Sequence, residues 1–134
     1  MYMIILTIKS QINMSKQITF EQFCKEKNVD ATLPVITNAS EKVVKQMLAT
    51  YKWEFIVETL NNEGQAEPWV PNYDDKNQYK YEIYVYKSPS SGWSLIGVDR
   101  WNSDTTCGAR RVFRTREIGR YAGENLLHFY IETF

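Results

Sequence analysis

The chain has 134 residues, 43% hydrophobic and 14% aromatic, and its 16 basic side chains are matched by 16 acidic ones. That length suits one domain with a real core, and zero net charge excludes a wholly basic nucleic-acid coat while leaving room for a basic patch. Two cysteines, Cys24 and Cys107, and the single His128 cannot be set at zinc-ligand spacing, so no metal site or cofactor is expected, and the cysteines read as reduced thiols.

Met1 to Ile8 reads MYMIILTI, too short an apolar run to span a bilayer and without the basic flank of a secretory signal. Two readings stay open for residues 1–13: an added β-strand, or an extension upstream of a start at Met14. Residues 14–134 then form a single α+β domain. Thr19-Phe20-Glu21-Gln22 has the form of a capping box, and Phe20, Phe23 and Cys24 give a short helix ending near Asn28. Ser40 is a second N-cap. After it Val44, Met47, Leu48, Tyr51, Phe55 and Leu60 recur at helical steps, with Trp53, Ile56 and Val57 widening the stripe until Asn61 to Gly64 stop it. Residues 65–77 are rich in turn formers but hold Trp69, Val70 and Tyr73, which predicts a loop packed down on the fold.

Tyr79 to Tyr86 has strand propensity, with Tyr79, Tyr81, Ile83 and Val85 as the core face. A turn at Ser88 to Gly92 leads to a second strand, Trp93 to Trp101, and a turn at Asn102 to Gly108 to a third, Ala109 to Arg114. Short connections predict an antiparallel meander. Thr115 caps a last helix whose face carries Ile118, Tyr121, Ala122, Leu126, Phe129 and Tyr130. Gly119 and Gly123 in its interior each cost about 1 kcal/mol against alanine, which predicts close approach of a neighbouring backbone. The expected fold is therefore α+β, with helices packed on one face of a small antiparallel sheet in the order helix, helix, three strands, helix.

Basic residues segregate along the chain: all six arginines lie between positions 100 and 120, and all ten lysines at or before Lys87. Arg110 and Arg114 share a strand face, and Arg116 and Arg120 are neighbours on the helix. With Arg111 they form a candidate binding cluster, since guanidinium groups suit phosphate, carboxylate and protein hot spots alike. Arg116 in a first helical turn opposes the dipole, which a docked anion would relieve, although Glu117 stands in the same turn. Solvated or intramolecularly paired arginines are the simpler expectation. Tyr84 and Tyr86 fall opposite the core face of their strand, with Trp93 or Trp101 in reach. They complete the candidate site as stacking residues, though a helix covering that face is the plainer reading.

No catalytic constellation is present. Ser90, Ser91 and Ser94 lack a nucleophile-elbow context, neither cysteine has a base partner, and His128 suits a helix end or the core. The acidic stretch Glu63, Glu67, Asp74, Asp75 lacks the glycine and closing glutamate of a calcium loop. Asp99 and Asp104 near Arg100 are the only acids that suggest an enzyme, and the balance leans against one.

Trp69-Val70-Pro71-Asn72, Gln78-Tyr79-Lys80-Tyr81, Gly108 to Thr115 and Tyr121-Ala122-Gly123 together resemble short uncharacterised proteins of phages and prophages of Bacteroides-type gut bacteria. Arg111 departs from that pattern, standing where an apolar residue is expected. The resemblance implies a phage setting, hence the host bacterial cytoplasm or the virion, and no activity. The expected function is non-enzymatic binding of a protein partner, host or phage, with inhibition of a host defence system as its attractive form. A minor virion component is one alternative. Nucleic-acid or nucleotide binding through Arg100 to Arg120 is the other. No membrane association is expected, and a homo-oligomer stays open because an exposed strand edge invites self-pairing.

Overall fold

Residues 17–101 and 111–134 are described by a computed structural model, which forms two compact units dividing between Thr32 and Leu33. The expectations for residues 1–13, Cys107 and Arg110 lie outside the described residues. In the first unit, helix α1 (Phe20–Lys27) starts on the predicted reciprocal box. Thr19 Oγ1 accepts from the Gln22 N–H at 3.1 Å, and Gln22 Oε1 accepts from the Thr19 N–H at 2.8 Å. Asn28 ends it in the left-handed region at φ 56°, a conformation asparagine tolerates. Phe20, Phe23 and Cys24 are buried.

The second unit is built on α2 (Glu41–Asn62), capped by Ser40 Oγ on the Val43 N–H at 3.3 Å. Its buried stripe is Ala49, Trp53, Ile56, Val57, Leu60 and Asn61. This corrects the face expected from periodicity: Met47 is 49% exposed, and Val44, Leu48, Tyr51 and Phe55 are half-buried. Apolar residues run nearly all round this helix, so spacing alone could not choose between adjacent faces. Tyr51 and Phe55 instead stack on each other one turn apart, 6.0 Å between centroids.

Strands β1 (Lys80–Ser88) and β2 (Gly92–Trp101) form an antiparallel hairpin. Gly92 takes φ 77° at its turn, where a side chain would be strained. Tyr84 pairs with Gly97 but Val85 with Leu95, so Ile96 is the extra residue of a β-bulge. Of the predicted third strand, Ala109 to Arg114, the described residues show one antiparallel bridge, Phe113 to Tyr81, with hydrogen bonds of 2.9 and 2.7 Å. Tyr81 spends both backbone groups on Phe113, so the segment lies along the edge of β1 away from β2. A meander would have placed it beside β2.

Helix α3 (Arg116–Asn125) begins at Thr115, whose Oγ1 accepts from the Ile118 N–H at 3.1 Å. The single last helix expected is two: α4 (Leu127–Ile131) follows a break at buried Leu126, at φ −126° and ψ 15°. Just before the break, the Asn125 side chain donates to the Tyr121 carbonyl at 2.9 Å, competing with the helical ladder. The two interior glycines let α3 settle on β2, but against side chains and not the backbone expected. A methyl group on Gly119 would stand 3.1 Å from Val98 Cγ1, and one on Gly123 2.9 Å from both Leu95 δ-carbons. Val98 pairs with Ile83 and Leu95 with Val85, and directly opposed residues share a face. Helix α3 therefore covers the Ile83 face of the hairpin. The core joins α2 to both ends of this half: Trp53 meets Phe113 edge-on at 6.2 Å and Tyr130 at 5.0 Å. The fold is mixed α+β.

Candidate functional site

Most of the described arginines are bonded to the chain itself. Arg114 Nε donates to the Asn61 carbonyl at 2.8 Å and its Nη2 to the Glu63 carbonyl at 3.1 Å. Helix α2 has no basic residue in its last turn, so Arg114 supplies the cation that orphan carbonyls at a helix C-terminus favour. Asn61 answers with its side chain, which is 4% exposed. Its Nδ2 donates to the Val112 carbonyl and its Oδ1 accepts from the Arg114 N–H, both at 2.9 Å. That carboxamide stands where a neighbouring strand's peptide would, while Phe113 bonds Tyr81 on the other side. This is why residues 112–114 form no longer strand.

Arg116 Nη1 donates to the Val98 carbonyl, and its guanidinium lies 5.3 Å from the Tyr81 ring centroid. Both contacts are made at the start of α3, so the cation faces β2 and β1. Arg111 donates to Thr133 Oγ1 at 3.4 Å, and its charge acts on the Tyr130 hydroxyl. Burial pushes the Tyr130 phenol above its ordinary pKa, Glu82's charge adds to this, and Arg111 opposes both. Arg100 sits over the Tyr79 ring at 4.4 Å. Arg120 alone among the described candidates is an exposed guanidinium on the outer side of α3.

The tyrosines are placed differently. Tyr84 is 53% and Tyr86 55% exposed, and α3 packs on the opposite face; Ile96 at the bulge is 58% exposed. Beside them a cavity of about 370 Å³ opens, walled by Tyr84, Trp93, Trp101, Tyr130 and Phe134. Trp93 and Phe134 stack at 4.8 Å, and Phe134 meets Tyr130 edge-on at 5.1 Å. Glu82 and Asp99 also line the cavity and are direct cross-strand partners. The Trp101 indole N–H is buried without an acceptor. Sequence reasoning had put Trp93 or Trp101 near Tyr84, and both share its cavity. It missed Glu82 and Asp99 as a pair, although their alternation with the core residues held that signal.

A second cavity, about 360 Å³, lies between α2 and the 65–78 loop, with Trp69, Tyr73, Glu54 and Glu58 in its wall. The predicted packing holds for Trp69 and Tyr73, which are half-buried, but Val70 is 67% exposed. Asn62 Oδ1 accepts from the Trp69 N–H at 2.9 Å, and the Gln78 side chain clamps Val70 and Asn72. Lys80, fully buried, donates to the Asp75 and Gln78 carbonyls at 3.1 and 2.8 Å, under the Tyr73 ring. Among the described residues no group of three His, Cys, Asp or Glu is placed to hold a metal ion. No described helix is long and apolar enough to cross a membrane. No protein-family model matches the chain, and no curated protein or solved structure matches it either.

Proposed function

We propose that the protein acts without catalysis, by binding a protein partner through the hairpin side that exposes Tyr84 and Tyr86, with Ile96 exposed at the bulge. The supporting observation is the exposure of those three large side chains on one hairpin, each more than half accessible. Solvent exposure of such a cluster contributes nothing to folding, whereas tyrosines are over-represented among residues that carry interface energy. Among the described residues only β1 pairs with β2, and an unpaired strand edge offers backbone groups to a partner strand. The donors of Arg111, Arg114 and Arg116 go to carbonyls, hydroxyls and rings of the same chain, which favours a protein over a nucleic acid as the ligand. In the phage setting that the resemblance implies, the partner is a host or phage protein, and blocking a host defence protein is the form we favour.

The test is co-purification of the full chain and of a Tyr84→Ala, Tyr86→Ala double variant from the bacterial host. A partner identified with the parent chain, lost from the variant at unchanged melting temperature, is the expected result. Retention by the variant would remove the face from the account. Salt separates the alternatives: a complex held by phosphate contacts weakens steeply as salt rises, and an aromatic interface does not.

A further inference from the structure

The first two turns of α2 run out past the core, since its buried stripe begins only at Ala49. Lys42 and Lys45 precede Ala49 at helical spacing and so lie on the stripe's own side. There, between α2 and the C-terminal residues, is a cleft of about 590 Å³ walled by Lys42, Lys45, Lys52 and Glu132. Gln46 holds it in shape, its Nε2 donating to the Thr133 carbonyl. Lys42 and Lys45 are exposed and Lys52 is half-buried. Lys52 is engaged within the chain, but among the described residues neither Lys42 nor Lys45 makes a side-chain hydrogen bond or ion pair. Counted against Glu132 and the α-carboxylate of Phe134, the three ammonium groups still leave the walls positive. Like charges one turn apart repel, and Lys42, in the first turn of α2, also opposes the helix dipole. An anion seated in the cleft offsets both costs.

We propose that this cleft binds an organic phosphate monoester. An ammonium group is a compact point charge without the planar fork of arginine, so it selects charge density above shape. A phosphate monoester carries about −1.5 to −2 charges at neutral pH, more than a carboxylate, and gains most from two lysines on one wall. The volume falls within the range of small-ligand pockets, more than a bare phosphate fills. Leu48 and Phe134 offer apolar surface to the attached body. On the C-terminal wall Glu132 accepts hydrogen bonds from hydroxyl groups of that body and repels a second phosphate. The site uses none of Tyr84, Tyr86 or Ile96 and does not rest on the hairpin reading.

The experiment titrates the full chain, ¹⁵N-labelled, with ribose 5-phosphate, inorganic phosphate and ribose at constant ionic strength. Amide signals of residues 42–52 and 132–134 should shift saturably with ribose 5-phosphate, at half-saturation on the order of millimolar. Phosphate alone should bind more weakly, and ribose not at all. The Lys42→Gln, Lys45→Gln double variant should bind about fivefold more weakly or worse at unchanged melting temperature. Lys87→Gln, which alters an exposed lysine of the hairpin, should bind as the parent does. Absence of saturation, equal binding of ribose or of phosphate alone, an unaffected double variant, or equal weakening in Lys87→Gln would each overturn the inference. Co-purification of a partner through Tyr84 and Tyr86 is read separately, so either idea can fail alone.

Discussion

Asn61 shows how one side chain can decide a chain path. Replacing it with alanine strands the Val112 carbonyl and the Arg114 N–H, both of which its amide serves. Each buried group left unpaired costs about 1–3 kcal/mol, so Asn61→Ala should lose roughly 2–4 kcal/mol in urea unfolding. Arg114→Ala should also destabilise, because its guanidinium meets two carbonyls at the end of α2, whereas Arg120→Ala should leave the melting temperature unchanged. The crowding of arginines was legible in the sequence, but their partners were not. Those partners are backbone carbonyls of Asn61, Glu63 and Val98, brought near only by tertiary folding. Tyr130 gives a pH signature. Its folded pKa is raised chiefly by burial, so both states hold the proton below pH about 10. Above that value the unfolded chain releases it first. Stability therefore falls as pH climbs towards the folded pKa, and Tyr130→Phe should flatten that alkaline decline in melting temperature.

Between elements, the decisive contact is α3 on β2 at the two glycines. Gly123→Val would drive branched carbons into Leu95, already 2.9 Å from a single added methyl. Overpacking of this kind costs about 1–3 kcal/mol, and valine's helix propensity does not offset it. The double variant with Leu95→Ala should recover part of the loss in thermal unfolding. Helix starts at Thr19, Ser40 and Thr115 were readable because a cap involves residues within four positions of one another. The meander was not, since the third segment's neighbours are Asn61 and Tyr81 instead of β2, a choice made by long-range contacts. The core face of α2 was misjudged for a similar reason: only Phe113 and Tyr130, packed on Trp53, single out that side.

At the largest scale, the second unit has a buried core and an accessible hairpin face built from different side chains. The core couples Trp53, Phe113 and Tyr130, while Tyr84, Tyr86 and Ile96 face outward beside a cavity with two carboxylates. Alternation along β1 showed which tyrosines oppose Ile83, but whether another element covers them depends on where the helices lie, and α3 lies on the other face. The claim that this face meets a protein is tested most directly by photo-crosslinking. A benzophenone side chain is placed at Tyr86 in one variant and at Arg120 in another, and both are irradiated in host cells. The account predicts one discrete protein adduct from position 86 and none from position 120. No adduct from position 86, or the same adduct from both positions, would contradict it.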